Sequence, residues 1–299
     1  MWAVLGIISS VFLGVYDVFK KISLKDNAVI PVLFFATLTG ALIFLPLILL
    51  SWFLPEYSAT QIWYIPKVDF HAHVLFFLKA IIVASSWLFA YFALKHLPIT
   101  IATPIRASSP LWALIGAILI FGERLTPLQW VGLAVAFGFY YLFSTAGKRE
   151  GIHFTTNKWV YFMIIATLIG AGSSLYDKFL TAHYDRFAMQ AYFSVYLVIV
   201  LLPVLLFVWL PRRKGATFKW SYAIPLIGIT LVTADFIYFY ALSIPGSLVS
   251  VISILRRGSV LTSFFLGSIV FREEKNKKLK GLILIGIAAG IFIIMLGSL

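Results

Sequence analysis

Apolar runs of 18 to 24 residues, separated by short polar connections, make up most of the chain. Ten such runs cover residues 2–19, 30–53, 74–94, 99–121, 128–145, 159–180, 188–210, 222–242, 248–271 and 279–296. A helix rises 1.5 Å per residue, so about 20 apolar residues cross the hydrocarbon core of a bilayer. The runs are too long for core strands and show no period of two, which excludes a soluble sheet and a lipid-spanning barrel. The predicted fold class is therefore an all-α polytopic membrane protein with ten transmembrane helices.

The second half of the chain echoes the first. Gly14-Val15-Tyr16-Asp17-Val18-Phe19 returns as Ser174-Leu175-Tyr176-Asp177-Lys178-Phe179. Phe89-Ala90-Tyr91-Phe92-Ala93-Leu94, followed by Arg106, Ser109 and Phe121-Gly122-Glu123-Arg124, returns as Ile237-Tyr238-Phe239-Tyr240-Ala241-Leu242, followed by Arg256, Ser259 and Phe271-Arg272-Glu273-Glu274. Residues 1–150 and 151–299 are thus predicted to be two five-helix repeats, joined by the polar stretch 147–157. An odd number of spans per repeat places the copies upside down relative to each other, an arrangement common among secondary transporters.

Composition agrees with a lipid environment: 62% of residues are hydrophobic and 12% charged, with a mean hydropathy of +0.99, against about half apolar and a quarter charged in soluble domains. Three quarters of the chain is membrane, which leaves no room for a soluble catalytic domain. A net charge of +13 would point to nucleic acid if the cations were clustered, but they are not. Sixteen of the 24 Lys and Arg fall in the loops after helices 1, 3, 5, 7 and 9, and only Lys67, Arg124, Lys178 and Arg186 in the others. Short basic loops stay cytoplasmic, so both termini are predicted outside and no nucleic-acid partner is expected. Residues 54–73 then form an external segment lying on the membrane surface. The chain enters its first span without a basic leader or a small-residue cleavage site, so that span is expected to be retained. Cysteine is absent, which excludes disulfides and thiolate metal sites.

Few charges enter the spans. Arg106, Arg256 and Arg257 lie seven to nine residues inside helices 4 and 9, where each costs about 3 kcal/mol unless water, a counter-ion or a ligand receives it. Inverted equivalence puts Arg106 and Arg256 roughly 10 Å apart along the membrane normal, which brackets one polar anion. The planar guanidinium fork suits carboxylate or phosphate. Asp235 is read as the one acid clearly inside a span, either as counter-ion to Arg256 or Arg257 or as a proton-coupling site. Asp17 and Asp177, in their repeated Tyr-Asp-x-Phe frame, are gating or coupling candidates at the two mouths, or interfacial partners of Lys20, Lys21 or Lys178. Trp87, Tyr91, Tyr238 and Tyr240, deep in helices 3 and 8, are candidate walls of a substrate cavity. Lys79 is expected to snorkel outward, Glu123 and Glu273 to cap or clamp the turns after helices 4 and 9, and Pro104, Pro110 and Gly258 to kink or unwind their helices.

The sequence carries no phosphate-binding glycine loop, GxGxxG, HExxH or nucleophile elbow, and His71-Ala72-His73 is a weak metal pair in a loop. No metal, cofactor or enzymatic activity is expected. The ten-helix plan, together with Phe-Gly-Glu-Arg-Leu at 121–125 and Phe-Arg-Glu-Glu-Lys at 271–275, resembles the drug/metabolite transporter superfamily, EamA type, over the whole chain. Ile254-Leu255-Arg256-Arg257 is also similar to the paired basic residues in helix 9 of triose-phosphate translocators, which bind phosphate there. The resemblance implies alternating access without ATP hydrolysis, in the cytoplasmic (inner) membrane of a bacterium. Many members of that family keep their termini in the cytoplasm, whereas the basic loops here imply the reverse. The expected function is secondary transport of a small anionic metabolite. The alternatives are proton-coupled export of amino acids or amphipathic cations through Asp235, and, further off, a membrane enzyme or lipid scramblase.

Overall fold

The structure, a computed structural model, describes residues 1–61, 63–97, 105–106, 108–145, 157–213, 215, 217–270 and 277–298. Among these residues seven helices are long and apolar enough to cross a membrane, and three shorter apolar helices bring the number to ten. The elements are α1 (Trp2–Leu24), α2 (Val29–Phe53), α3 (Phe70–His96), α4 (Ser109–Phe121), α5 (Pro127–Thr145), α6 (Lys158–His183), α7 (Arg186–Pro203), α8 (Ala223–Ser243), α9 (Val249–Arg257), α10 (Ser259–Val270) and α11 (Lys277–Leu296). Helices α9 and α10 are the two halves of the ninth span. The break falls at Gly258, as the sequence predicts, and it ends α9 directly after Arg256 and Arg257.

Helix starts follow local chemistry. The first turn of a helix leaves amides without partners, and a short polar side chain just ahead of it supplies the acceptor. Asp69 accepts from the Ala72 amide to start α3, Asn157 from Trp159 to start α6, and Asp185 from Phe187 and Ala188 to start α7. The segment before α3 contains a helical turn, Pro55–Ser58, and is anchored at fully buried Ile65, whose amide donates to Ser51 Oγ at 3.0 Å.

The most extensive helix pairings are mostly retained when the two halves of the chain are exchanged. The pair α1 with α8 has its counterpart in α6 with α3, α2 with α8 in α7 with α3, and α1 with α9 in α6 with α4, while α2 with α7, α4 with α9 and α5 with α11 are their own counterparts. Connections from the two halves also meet. Asn27, after α1, donates to the carbonyl of Lys219 before α8 and accepts from its amide, at 2.7 and 2.9 Å, so the two basic connections share one end of the bundle. Large side chains such as Leu119, Phe207, Leu282 and Ile285 point outward, 66% or more exposed, as lipid-facing residues do.

Small residues let the helices approach. A Cβ at Gly228 of α8 would come within 2.3 Å of the Ala36 carbonyl oxygen of α2, a backbone atom that cannot rotate away. Gly228→Ala is expected to cost about 1–3 kcal/mol, read as a lower thermal unfolding midpoint in detergent. Gly138→Ala, where nothing lies within 4 Å, should leave the midpoint in place, and equal losses at both positions would remove the close approach as the cause.

Candidate functional site

At the centre, α1, α3, α6, α8 and α9 enclose a cavity of about 290 Å³. Each helix contributes one face at helical spacing: Tyr16, Asp17 and Lys20 from α1; Lys79, Ser86, Trp87 and Tyr91 from α3; Ser174 and Asp177 from α6; Asp235 and Tyr238 from α8; Arg256 and Arg257 from α9. Arg106, just ahead of α4, completes the wall together with Ser109 and Pro110. Pro104 and Glu273 lie outside the described residues.

Eight charged residues face this space, and most are paired. Arg256 donates from Nη2 to Asp235 Oδ1 at 2.7 Å and lays its guanidinium over the Tyr238 ring at 3.9 Å. Lys79 is hydrogen-bonded and ion-paired to Asp177, with its ammonium 4.5 Å from the Phe193 ring and 5.0 Å from that of Phe239. Lys20 pairs with Asp17 at 3.6 Å in a more open position, with side chains 18% and 42% exposed. Five cations and three acids thus line the wall, and among the described residues Arg106 and Arg257 have no acid. Arg257 lies within electrostatic reach of Arg106, of Arg256 and, more weakly, of Asp17, with which it forms no ion pair. Arg256 Nε and Ser253 Oγ are buried without a hydrogen-bond partner among the described residues.

The arginines are held by the break in the ninth span. A helix end carries partial negative charge from its free carbonyls, and α9 ends at Arg257 within the fold. At the other end of α9 the Glu123 carboxylate accepts from the Val249 and Ser250 amides at 2.7 and 3.2 Å and from the Ser250 hydroxyl. Glu123 therefore caps α9, in the opposite half of the chain, rather than the turn into its own following helix.

Three further expectations are corrected. Lys79 does not snorkel outward: it is 2% exposed, because α3 begins at Phe70 and carries it a full turn deeper than a start at residue 74 would. Asp177 is not interfacial either. It stands six residues inside α6, 6% exposed, so Asp235 is not alone as an intramembrane acid. Its neighbour Lys178 donates instead to the Leu242 and Ser247 carbonyls at 3.3 and 2.7 Å. Tyr240 faces away from the cavity, 37% exposed, with the Arg186 guanidinium 3.9 Å from its ring. Tyr16 and Lys20 also line the cavity; Tyr16 directly precedes Asp17 and Lys20 follows it by three residues, nearly one turn, and that spacing was the available signal. His71 and His73, the weak metal pair, turn their Nδ1 atoms to the hydroxyls of Tyr184 and Tyr196.

Ten apolar helices around a charged central cavity define an integral membrane protein. The model of the EamA-like transporter family matches residues 1–145, and that part of the chain belongs to this family, within the drug/metabolite transporter superfamily. A membrane transporter of small molecules is the reading that this match supports. No curated protein matches the chain in sequence. A solved structure described only as "Crystal structure of protein" superposes with a TM-score of 0.68 at 14% identity, over 97% of both chains; at that identity it shows the shared fold alone.

Proposed function

We propose that the protein is a secondary transporter of a small anionic metabolite, bound between Arg106 and Arg257 with Trp87, Tyr91 and Tyr238 as the surrounding wall. The observation that carries this reading is the pairing pattern: among the described residues three of the five cavity cations are ion-paired to acids and two are not. Two unmatched guanidinium groups in a membrane interior are costly without an anion or water, and their forks suit phosphate or carboxylate oxygens. A cationic substrate would find Asp17, Asp177 and Asp235 already facing cations, which leaves the proton-coupled export of amines with less support. Thermal-shift screening of detergent-purified protein against phosphorylated sugars, nucleotides, carboxylates and amines tests the proposal, because a ligand bound only by the folded state raises its apparent stability. Stabilisation by an anion class is expected; stabilisation by amines alone would overturn it.

The exchange-symmetric packing supports two inverted repeats, 1–150 and 151–299, and alternating access by rocking one against the other. With the basic connections cytoplasmic, the open Asp17–Lys20 pair lies at the inner mouth and the buried Lys79–Asp177 pair closes the outer side. Both termini then face outward, in a bacterial cytoplasmic membrane. Single cysteines introduced into this cysteine-free chain check the orientation: Thr60→Cys should label in intact cells and Lys25→Cys only after permeabilisation. The reverse pattern would invert the assignment.

A further inference from the structure

A second, smaller cavity of about 30 Å³ lies between α2, α7 and α8, sharing Trp87, Phe193, Leu231 and Asp235 with the central one. Its volume matches a single water or a small bare ion. Thr37 of α2, Gln190 and Ser194 of α7 and Asp235 of α8 supply its polar lining, with Trp87 as the remaining polar side chain. Gln190, Thr37 and Ser194 are 2%, 6% and 9% exposed.

The hydrogen-bond directions decide what this lining can hold. Thr37 spends its hydroxyl proton on the Phe34 carbonyl at 2.8 Å, and Ser194 donates to the Gln190 carbonyl at 2.8 Å. The Gln190 amide donates from Nε2 to the Val232 carbonyl at 2.8 Å, which fixes the flip of the group, and Gln190 Oε1 is left buried with no partner among the described residues. Asp235 accepts from Arg256 at Oδ1, and its Oδ2 has no hydrogen bond among the described residues. Two hydroxyl oxygens, an amide oxygen and a carboxylate oxygen therefore present lone pairs, their own protons being engaged elsewhere. A water molecule donates to only two acceptors. A hard cation takes all four, since carbonyl, carboxylate and hydroxyl oxygens are its preferred ligands, and a buried acceptor with no partner is costly.

We propose that this cavity binds a monovalent cation of sodium's size through Thr37 Oγ1, Gln190 Oε1, Ser194 Oγ and the Asp235 carboxylate. Because Asp235 also neutralises Arg256, occupancy divides that carboxylate between two cations and leaves the Arg256 guanidinium less satisfied on its cavity side. By linkage, an anion in the central cavity and a cation in the small one then favour each other. That consequence rests on the anion reading; the cation site does not.

The test is thermal unfolding of the full chain in detergent at constant ionic strength, with sodium chloride replaced stepwise by potassium chloride or choline chloride. Sodium is expected to raise the midpoint saturably above both. Gln190→Leu and Thr37→Val should each weaken the sodium response at least tenfold in half-saturating concentration, while Arg106→Ala keeps it. Equal midpoints in all three salts, a response to potassium alone, or a sodium response unchanged in both variants would each overturn the site. If Gln190→Leu does not fold, Thr37→Val, which loses one ligand at nearly constant volume, carries the comparison. A sodium response in a protein that no anion stabilises would retain this site and refute the anion reading.

Discussion

Lys79→Met is expected to destabilise the protein by about 3–5 kcal/mol. The thioether keeps the volume of the lysine stem against Phe193 and Phe239, so packing is not what is lost. What remains is the Asp177 carboxylate, 6% exposed, without its cation. A buried ion pair replaced as a whole by apolar side chains is often neutral, so Lys79→Met with Asp177→Leu should recover most of the loss, as measured by denaturation in detergent. The Asp17–Lys20 pair offers the contrast. With Asp17 42% exposed, Lys20→Met should cost no more than about 1 kcal/mol. A Lys79→Met loss as small as that would mean that the buried Lys79–Asp177 pair does not close the bundle.

Removing either unmatched arginine is expected to remove ligand rather than fold. Arg257→Gln and Arg106→Gln each delete a charge-assisted contact of about 2–3 kcal/mol, roughly a 30- to 150-fold rise in the dissociation constant of the stabilising anion, with the ligand-free midpoint held or raised as repulsion among the arginines falls. Arg257→Lys should rescue little where the contact is bidentate. Arg256→Gln should behave differently, lowering the ligand-free midpoint because it strips Asp235 of its partner. Titrating the anion against all four variants separates these outcomes. A ligand-free loss at Arg257 as large as at Arg256 would mean that Arg257 is a packing residue.

The ten spans and the polar residues of helices 3, 4, 8 and 9 were legible because charges and breaks stand out in an apolar sequence. Asp235 and Arg256 could be matched for the same reason: a lone carboxylate and a guanidinium in adjacent spans have strong cause to meet. Errors came where depth was measured from a helix end. A start at residue 74 instead of Phe70, and an end at 180 instead of His183, shift a residue by about a turn, enough to turn Lys79 and Asp177 from interfacial side chains into a buried pair. Tyr238 and Tyr240 were selected together, yet residues two apart on a helix point about 200° apart, so one of them had to leave the cavity. The role of Glu123 was hidden for another reason. Its partners are 126 and 127 residues away, and no local pattern encodes which distant helix start a carboxylate will reach.

The central claim is that the two arginines without an acid hold the transported anion. The most direct measurement is thermal stabilisation of the wild-type protein and of the Arg106→Gln, Arg257→Gln double variant by one anion series of equal size and graded charge: a neutral sugar, its monocarboxylate and its phosphate ester. The wild type should be stabilised in the order of charge, most by the phosphate, and the double variant by none. Stabilisation that ignores charge, or that survives in the double variant, would contradict the account.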